Sequence, residues 1–233
     1  MAQRIVFLLR RQSHLTRHEF QSYWLEQHAP LVKHHASTLG IARYQQVHTV
    51  EETRATSVDG YDGVAELWLS SQPSSAPYEE RVQAASELLT DERSFIDLAR
   101  SPIWFAKEDK LLEGPQEGLR VTAALVRKTG TTRDEFLNHW RTIHGPWALR
   151  HPEVWGFTSY TQLRTPPDAE ATTLSAERNS PPAPDGVSEI YRVSATAAAE
   201  TVARMRSEIL ADELNFINVD ESPVFTGKVH VIL

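Results

Sequence analysis

The chain has 233 residues, with 24 lysines and arginines against 31 aspartates and glutamates, a formal charge of -7, and no cysteine. Without a basic tract it has no footprint for a phosphate backbone, so nucleic acid is not an expected partner; without cysteine, disulfides and thiol catalysis are excluded. The first apolar run, Ile5 to Leu9, is too short for a signal sequence or a membrane span and meets Arg10 and Arg11, so a soluble cytoplasmic protein without membrane contact is expected.

In chain order, Arg4 to Leu9 reads as a strand buried on both faces. A helix follows with an explicit start, because the Thr16 hydroxyl can cap the backbone while Glu19 reaches back. Along it Phe20, Trp24 and His28 recur every four residues and share one stripe. Pro30 lacks a backbone donor and disfavours helical geometry at Ala29, so the helix is expected to end or kink there and restart as a short turn. Ile41 to Thr49 and Asp62 to Trp68 read as strands, Tyr78 to Leu89 as a second helix and Ile103 to Leu111 as a last strand, introduced by Ser101-Pro102.

The same order then repeats. TRHEFQSYWLEQHAPLV at 16–32 is matched by TRDEFLNHWRTIHGPWA at 132–148 with a constant spacing of 116, which lays Thr16 on Thr132, Phe20 on Phe136, Trp24 on Trp140, His28 on His144 and Pro30 on Pro146. Strand Phe157 to Arg164 carries Tyr160 and Gln162 as the earlier strand carries Tyr44 and Gln46, and the segment from Asp185 to Tyr191 matches that from Asp62 to Trp68. A second helix from about Ala197 to Leu210 and a strand from Val224 to Leu233 complete the copy, and Asp91 to Asp97 is echoed by Asp212 to Asn218. Between the matched strands the second copy is longer, and the surplus falls in 166–184, whose five prolines predict a mobile surface loop. The division is a first unit at 1–112, a hinge at 113–118 containing Gly114-Pro115, and a second unit at 119–233.

Strand, helix, strand, strand, helix, strand with right-handed crossovers is the ferredoxin-like βαββαβ sandwich. One such unit leaves one sheet face bare; two in tandem cover each other, so the fold class is α+β, an eight-stranded pseudo-dimeric barrel in one polypeptide. That internal pairing makes a homodimer possible but unnecessary.

The pattern Arg-x-Glu-Phe-x-x-x-Trp-x-x-x-His-x-Pro, present at Arg17 to Pro30 and again at Arg133 to Pro146, with Asp-x-x-x-Phe-Ile-Asp/Asn downstream, resembles the EthD-like members of the dimeric α+β barrel superfamily. The resemblance covers nearly the whole chain outside the hinge and the proline-rich loop. It implies the barrel, and an activity drawn from cofactor-independent decarboxylases, dehydratases, cyclases, lactone isomerases or monooxygenases, with more distant haem enzymes; family membership fixes architecture better than chemistry.

His28 and His144 are the first catalytic candidates, since imidazole can remove and return a proton near neutrality; the competing reading is a helix-end cap. Tyr44 and Tyr160 could donate to a developing oxyanion or simply pack. Trp24, Trp140, Gln46, Gln162, His35, His151, Glu66 and Glu189 are candidate substrate contacts. Glu66 and Glu189, placed inside strands, need a partner, either a histidine or an arginine such as Arg43. The groupings His28, His34, His35 and His14, His18 lack the carboxylate motif of a metal site, so neither metal nor cofactor is expected. The expected function is a cofactor-independent lyase or isomerase working by histidine proton transfer on an aromatic, polyketide-like or lactone small molecule. The alternatives are a hydrophobic small-molecule binder and a cofactor-free monooxygenase or haem enzyme.

Overall fold

The computed structural model describes residues 3–116, 118–167, 173–193 and 199–233. The expected start of the last helix near Ala197, residue 117 of the hinge and 168–172 of the long loop lie outside them.

Eight strands close into one barrel in the order β1-β3-β2-β8-β5-β7-β6-β4. They are β1 (Arg4–Leu9), β2 (Ile41–Glu52), β3 (Gly63–Leu69), β4 (Ile103–Leu112), β5 (Leu119–Leu125), β6 (Phe157–Arg164), β7 (Gly186–Arg192) and β8 (Val224–Val231). Each unit has the ferredoxin-like strand order, β4-β1-β3-β2 and β8-β5-β7-β6, and two antiparallel seams join them. One pairs β2 with β8, His48 opposite Lys228; the other pairs β4 with β6, Asp109 opposite Gln162. Closure satisfies every strand's backbone donors and acceptors without leaving an edge.

The barrel divides each strand's residues by period two. Val6 and Leu8 point inward to a core with Val47, Val64, Trp104, Leu163, Val187 and Phe225, whereas Ile5, Phe7 and Leu9 point outward to the helices. That is why β1 reads as a continuous apolar run. Outside the barrel lie α1 (Arg17–Tyr23), α2 (Ala29–Leu39) and α3 (Tyr78–Phe95) on the first unit, and α4 (Arg133–His139), α5 (Gly145–Ala148), α6 (Pro152–Trp155), α7 (Thr173–Arg178) and α8 (Ala199–Phe216) in the second half. None of the described helices is long and apolar enough to cross a membrane.

Both predicted capping boxes form, Thr16 with Glu19 and Thr132 with Glu135. The expected break at Pro30 does not. Between α1 and α2 the segment Trp24–His28 winds as a π-helical turn, in which the Ala29 N–H reaches the Trp24 carbonyl five residues back. The wider turn accommodates the missing proline donor, and the helix runs on through α2 for 11 residues rather than a short turn. Trp140–His144 repeats the π-helical turn, but beyond it only the four residues of α5 follow, the short turn expected, before the separate α6. Matched glycines Gly40 (φ 68°) and Gly156 (φ 69°) then end the helical stretch in the left-handed conformation.

A second correction concerns the long insert. Its described part is not a free surface loop: α7 packs over the first unit, and the Ser180 hydroxyl accepts from the Ile103 N–H at 3.0 Å and donates to the Ser101 carbonyl at 3.0 Å.

The charged residues inside the barrel are the third. Glu66 and Glu189 pair neither with histidine nor with Arg43, which donates to Gln45 and lies over the Trp68 ring. They form a ring with Arg4 and Arg120: Arg4 reaches Glu66 at 2.5 Å and Glu189 at 2.6 Å, and Arg120 reaches Glu66 at 2.6 Å and Glu189 at 3.1 Å. Gln45 also donates to Glu66, and Glu108 takes the other arm of Arg4 at 2.6 Å. Arg120 and Glu66 are wholly buried. Burial alone would raise Glu66, yet Arg120 and Arg4 hold it well below the usual carboxylate range. Burial, helped by the charge of Glu66, pushes its neighbour Glu189 up to about 8 against the pull of both arginines.

Two outcomes follow. Arg120→Ala removes one of the two guanidinium groups that hold the buried Glu66 carboxylate and is expected to cost about 3–5 kcal/mol of stability, measurable by urea denaturation. Because Glu189 takes up its proton more readily folded than unfolded, its stabilisation is complete below pH 4.5 and is lost as pH rises towards 8. Glu189→Gln should remove that slope, at most about 1.4 kcal/mol per pH unit, from denaturation midpoints compared across pH 5 to 8.

Candidate functional site

Between the π-helical turn Trp24–His28, α2, α3, α7 and the outer face of the first sheet lies an apolar cavity of about 290 Å³. Its walls are mostly aliphatic, and its polar groups are His28, Tyr44, Glu92, Glu177 and Arg178. The histidine stripe lies where helical spacing put it: Phe20 and Trp24 pack at 5.6 Å between ring centroids, and His28 meets Phe95 at 5.1 Å. Gly63 makes room for this stripe, since a side chain there would collide with the Trp24 indole; Gly186 does the same for Trp140.

His28 is fixed by the aspartate that opens the repeated Asp-x-x-x-Phe-Ile stretch. Its Nδ1 lies 2.7 Å from Asp91 on α3, whose other oxygen accepts from the Tyr23 hydroxyl at 2.6 Å. Burial would raise Asp91, but the hydrogen bonds of His28 and Tyr23 hold it below the usual range. An ionised carboxylate only accepts, so in the neutral imidazole Nδ1 carries the proton and Nε2 keeps its lone pair. His28 lines the cavity, and Nε2 is its one remaining ring nitrogen. The Tyr44 phenol accepts from Trp24 Nε1 at 2.9 Å and from Gln46 Nε2 at 2.9 Å, so its own proton is available for a third partner. Burial raises its pKa well above the ordinary tyrosine value, which keeps it a neutral donor.

The second unit repeats the constellation around a cavity of about 360 Å³ that includes His144 and Tyr160. His144 Nδ1 lies 2.8 Å from Asp212, and His139 takes the place of Tyr23 at 2.9 Å. Hydrogen bonds from His144 and His139 hold Asp212 low. Gln162 donates to the Tyr160 hydroxyl at 3.1 Å and to the Trp140 carbonyl at 3.0 Å, as Gln46 donates to the Trp24 carbonyl at 2.9 Å.

Each cavity also receives an arginine from the other half of the chain. Arg178 of α7 grips Glu92 in the first cavity through Nε at 2.7 Å and Nη2 at 2.9 Å, both side chains being buried. Arg54, in the loop between β2 and β3, reaches Glu213 in the second at 2.5 Å. Glu92 and Glu213 follow the two histidine-binding aspartates directly, so their matched Asp-Glu pairs were visible in the sequence; the arginines, one in the insert, were not.

The other sequence candidates fall outside the cavities. Gln46 and Gln162 stand behind the tyrosines, and Trp140 supports the helix. His35 is held by Glu87 at 2.9 Å, and His151 lines neither cavity. Glu66 and Glu189 sit on the opposite sheet face, in the barrel ring, and line neither cavity. Among the described residues no three His, Asp or Glu side chains are placed to hold a metal ion. Stacked on Trp24, His48 has its pKa lowered to about 3 by burial and by the charges of His230 and Lys228.

This fold and its twin cavities define an α+β barrel built from two copies of one domain. The EthD domain profile matches residues 12–99 and 128–220, and the chain belongs to the EthD family. Two solved structures are similar in fold. One, from Lactobacillus acidophilus and provisionally described as a monooxygenase, has 8% identity and a TM-score of 0.46 over 98% of this chain and 93% of its own. The other, provisionally described as a chlorite dismutase, has 13% identity and a TM-score of 0.50 over 100% of this chain and 96% of its own. No curated protein matches the sequence significantly.

Arg178→Ala, which strands the Glu92 carboxylate, is expected to cost about 3 kcal/mol and to expose 173–180 to limited proteolysis. Unchanged melting and cleavage would show that α7 is not anchored through this pair.

Proposed function

We propose that the first cavity is the site of a cofactor-independent lyase or isomerase that moves a proton at carbon on a neutral aromatic, polyketide-like or lactone molecule. The observation that carries this reading is the joint presence in one apolar cavity of an aspartate-held imidazole and a neutral phenol with a free proton. His28 Nε2 takes the proton from the acidic carbon, and Asp91 stabilises the imidazolium that results. Tyr44 donates to the oxygen on which the enolate charge develops; Trp24 and Gln46 fix the phenol's direction, so little reorganisation is needed. The aliphatic walls favour a flat apolar substrate and exclude water, which strengthens both interactions. The imidazolium then returns its proton, to carbon for isomerisation or to a leaving group for elimination, and no external electron acceptor is required.

The mostly aliphatic lining favours a second reading, a protein that holds a hydrophobic small molecule without converting it. Deuterium uptake from solvent into the acidic carbon, followed by NMR over a panel of aromatic β-keto esters and lactones, separates the two. Exchange should fall about 100-fold or more in His28→Ala and about 100-fold in Tyr44→Phe. Full exchange in the His28→Ala/His144→Ala double variant would overturn the proton-transfer mechanism, and tight binding without exchange in the wild type would support the binder.

A further inference from the structure

The two copies have kept the same framework while changing what it holds, and two matched wall positions of the second cavity have gained a positive charge. Superposing the repeat through its matched strands lays Arg192 on Leu69; through the matched second helices it lays Arg206 on Ala85; through the first motif it lays Trp155 on Leu39. All six residues line their cavities. Three apolar wall positions of the first site are thus two guanidinium groups and an indole N–H in the second.

These donors lack acceptors. Arg192 and Arg206 make no ion pair or side-chain hydrogen bond among the described residues. Arg54 spends Nη2 on Glu213, but its Nη1 is buried without a partner, and so is Trp155 Nε1. Three arginines face one carboxylate in this lining, and both oxygens of the neighbouring Asp212 are occupied by His139 and His144. In the first cavity the single arginine is consumed by Glu92, with Glu177 beside it. Arg192 is half-buried and Arg206 exposed, so water can solvate both; the donors buried without acceptors, and therefore costly, are Arg54 Nη1 and Trp155 Nε1, and an arginine fork is matched in shape to a carboxylate. The rest of the second wall is apolar at Val121, Leu125, Phe157, Ile190 and Phe216 and polar at His144, Tyr160, Ser188 and Thr53.

We infer that the second cavity is a binding site for a carboxylate-bearing apolar molecule, its anionic end held by Arg192, Arg206 and Arg54 and its ring or chain laid against Trp155 and Phe157. This site is separate from the chemistry proposed at His28 and does not depend on it. The chain therefore holds two sites of different ligand charge.

The test is isothermal titration with 2-naphthoate and its neutral isostere 2-naphthamide. The wild-type protein is expected to prefer the carboxylate at least about 10-fold, the minimum for a charge-assisted contact, and to lose the preference as salt is raised. Arg192→Leu/Arg206→Ala, which installs the first cavity's residues, should abolish the preference while leaving the amide's affinity within about two-fold. Arg206→Glu, at an exposed helix position, should do the same, and it keeps the test decisive if the double variant does not fold. Equal affinity for the two probes in the wild type, or an undiminished preference in Arg206→Glu, would overturn the assignment.

Discussion

Inside the barrel, Arg4 and Glu66 of one copy and Arg120 and Glu189 of the other close a buried ring in which each arginine touches both glutamates. No half of this ring can be buried alone, because one arginine and one glutamate cannot satisfy each other's remaining donors and lone pairs in an apolar interior. The ring therefore works as a registry device, since its four members meet only when the two sheets are juxtaposed in one alignment. The seams β2–β8 and β4–β6 and the two outer cavities are all placed by that alignment. Whatever each cavity does, its walls are built on strands whose inner faces carry this charge network.

Duplication within one chain has a further physical consequence. In a symmetric homodimer every substitution appears twice, whereas here each cavity can change on its own. The shared elements are those that orient the histidine: the capped helix, the π-helical turn, the aspartate on the second helix, and the glutamine behind the tyrosine. The divergent ones are wall residues, Leu69 against Arg192 and Ala85 against Arg206, and the loops that carry Arg178 and Arg54 across to the opposite unit. Framework conserved between copies and lining divergent between them is the arrangement expected when two ligands of different charge share one scaffold.

Much of this was legible in the sequence. The repeat spacing, the capping boxes and the order of elements led to the closed barrel, because periodicity and caps are local signals. His28 and Tyr44 line the first cavity and His144 and Tyr160 the second, and their shared faces were readable because one helix stripe and one strand face suffice to aim them. Asp91, Glu92 and the ring partners Arg4 and Arg120 were not assigned, because each acts through a contact between distant segments that no spacing encodes. Arg4 shows the difficulty well: next to an apolar run it reads as a strand end, while the fold buries it beside three carboxylates. The long insert misled for a related reason, since proline content marks irregular backbone but not whether a helix within it docks elsewhere.

Proton transfer at the first cavity requires that His28, held by Asp91 through Nδ1, keep Nε2 unprotonated. Nitrogen-15 NMR of the neutral His28 imidazole measures this directly. The Nδ1–H tautomer is predicted in the wild-type protein, with a shift towards Nε2–H in Asp91→Asn, whose amide can donate to the ring. An Nε2–H tautomer in the wild type would leave no basic nitrogen facing the cavity and would contradict the mechanism.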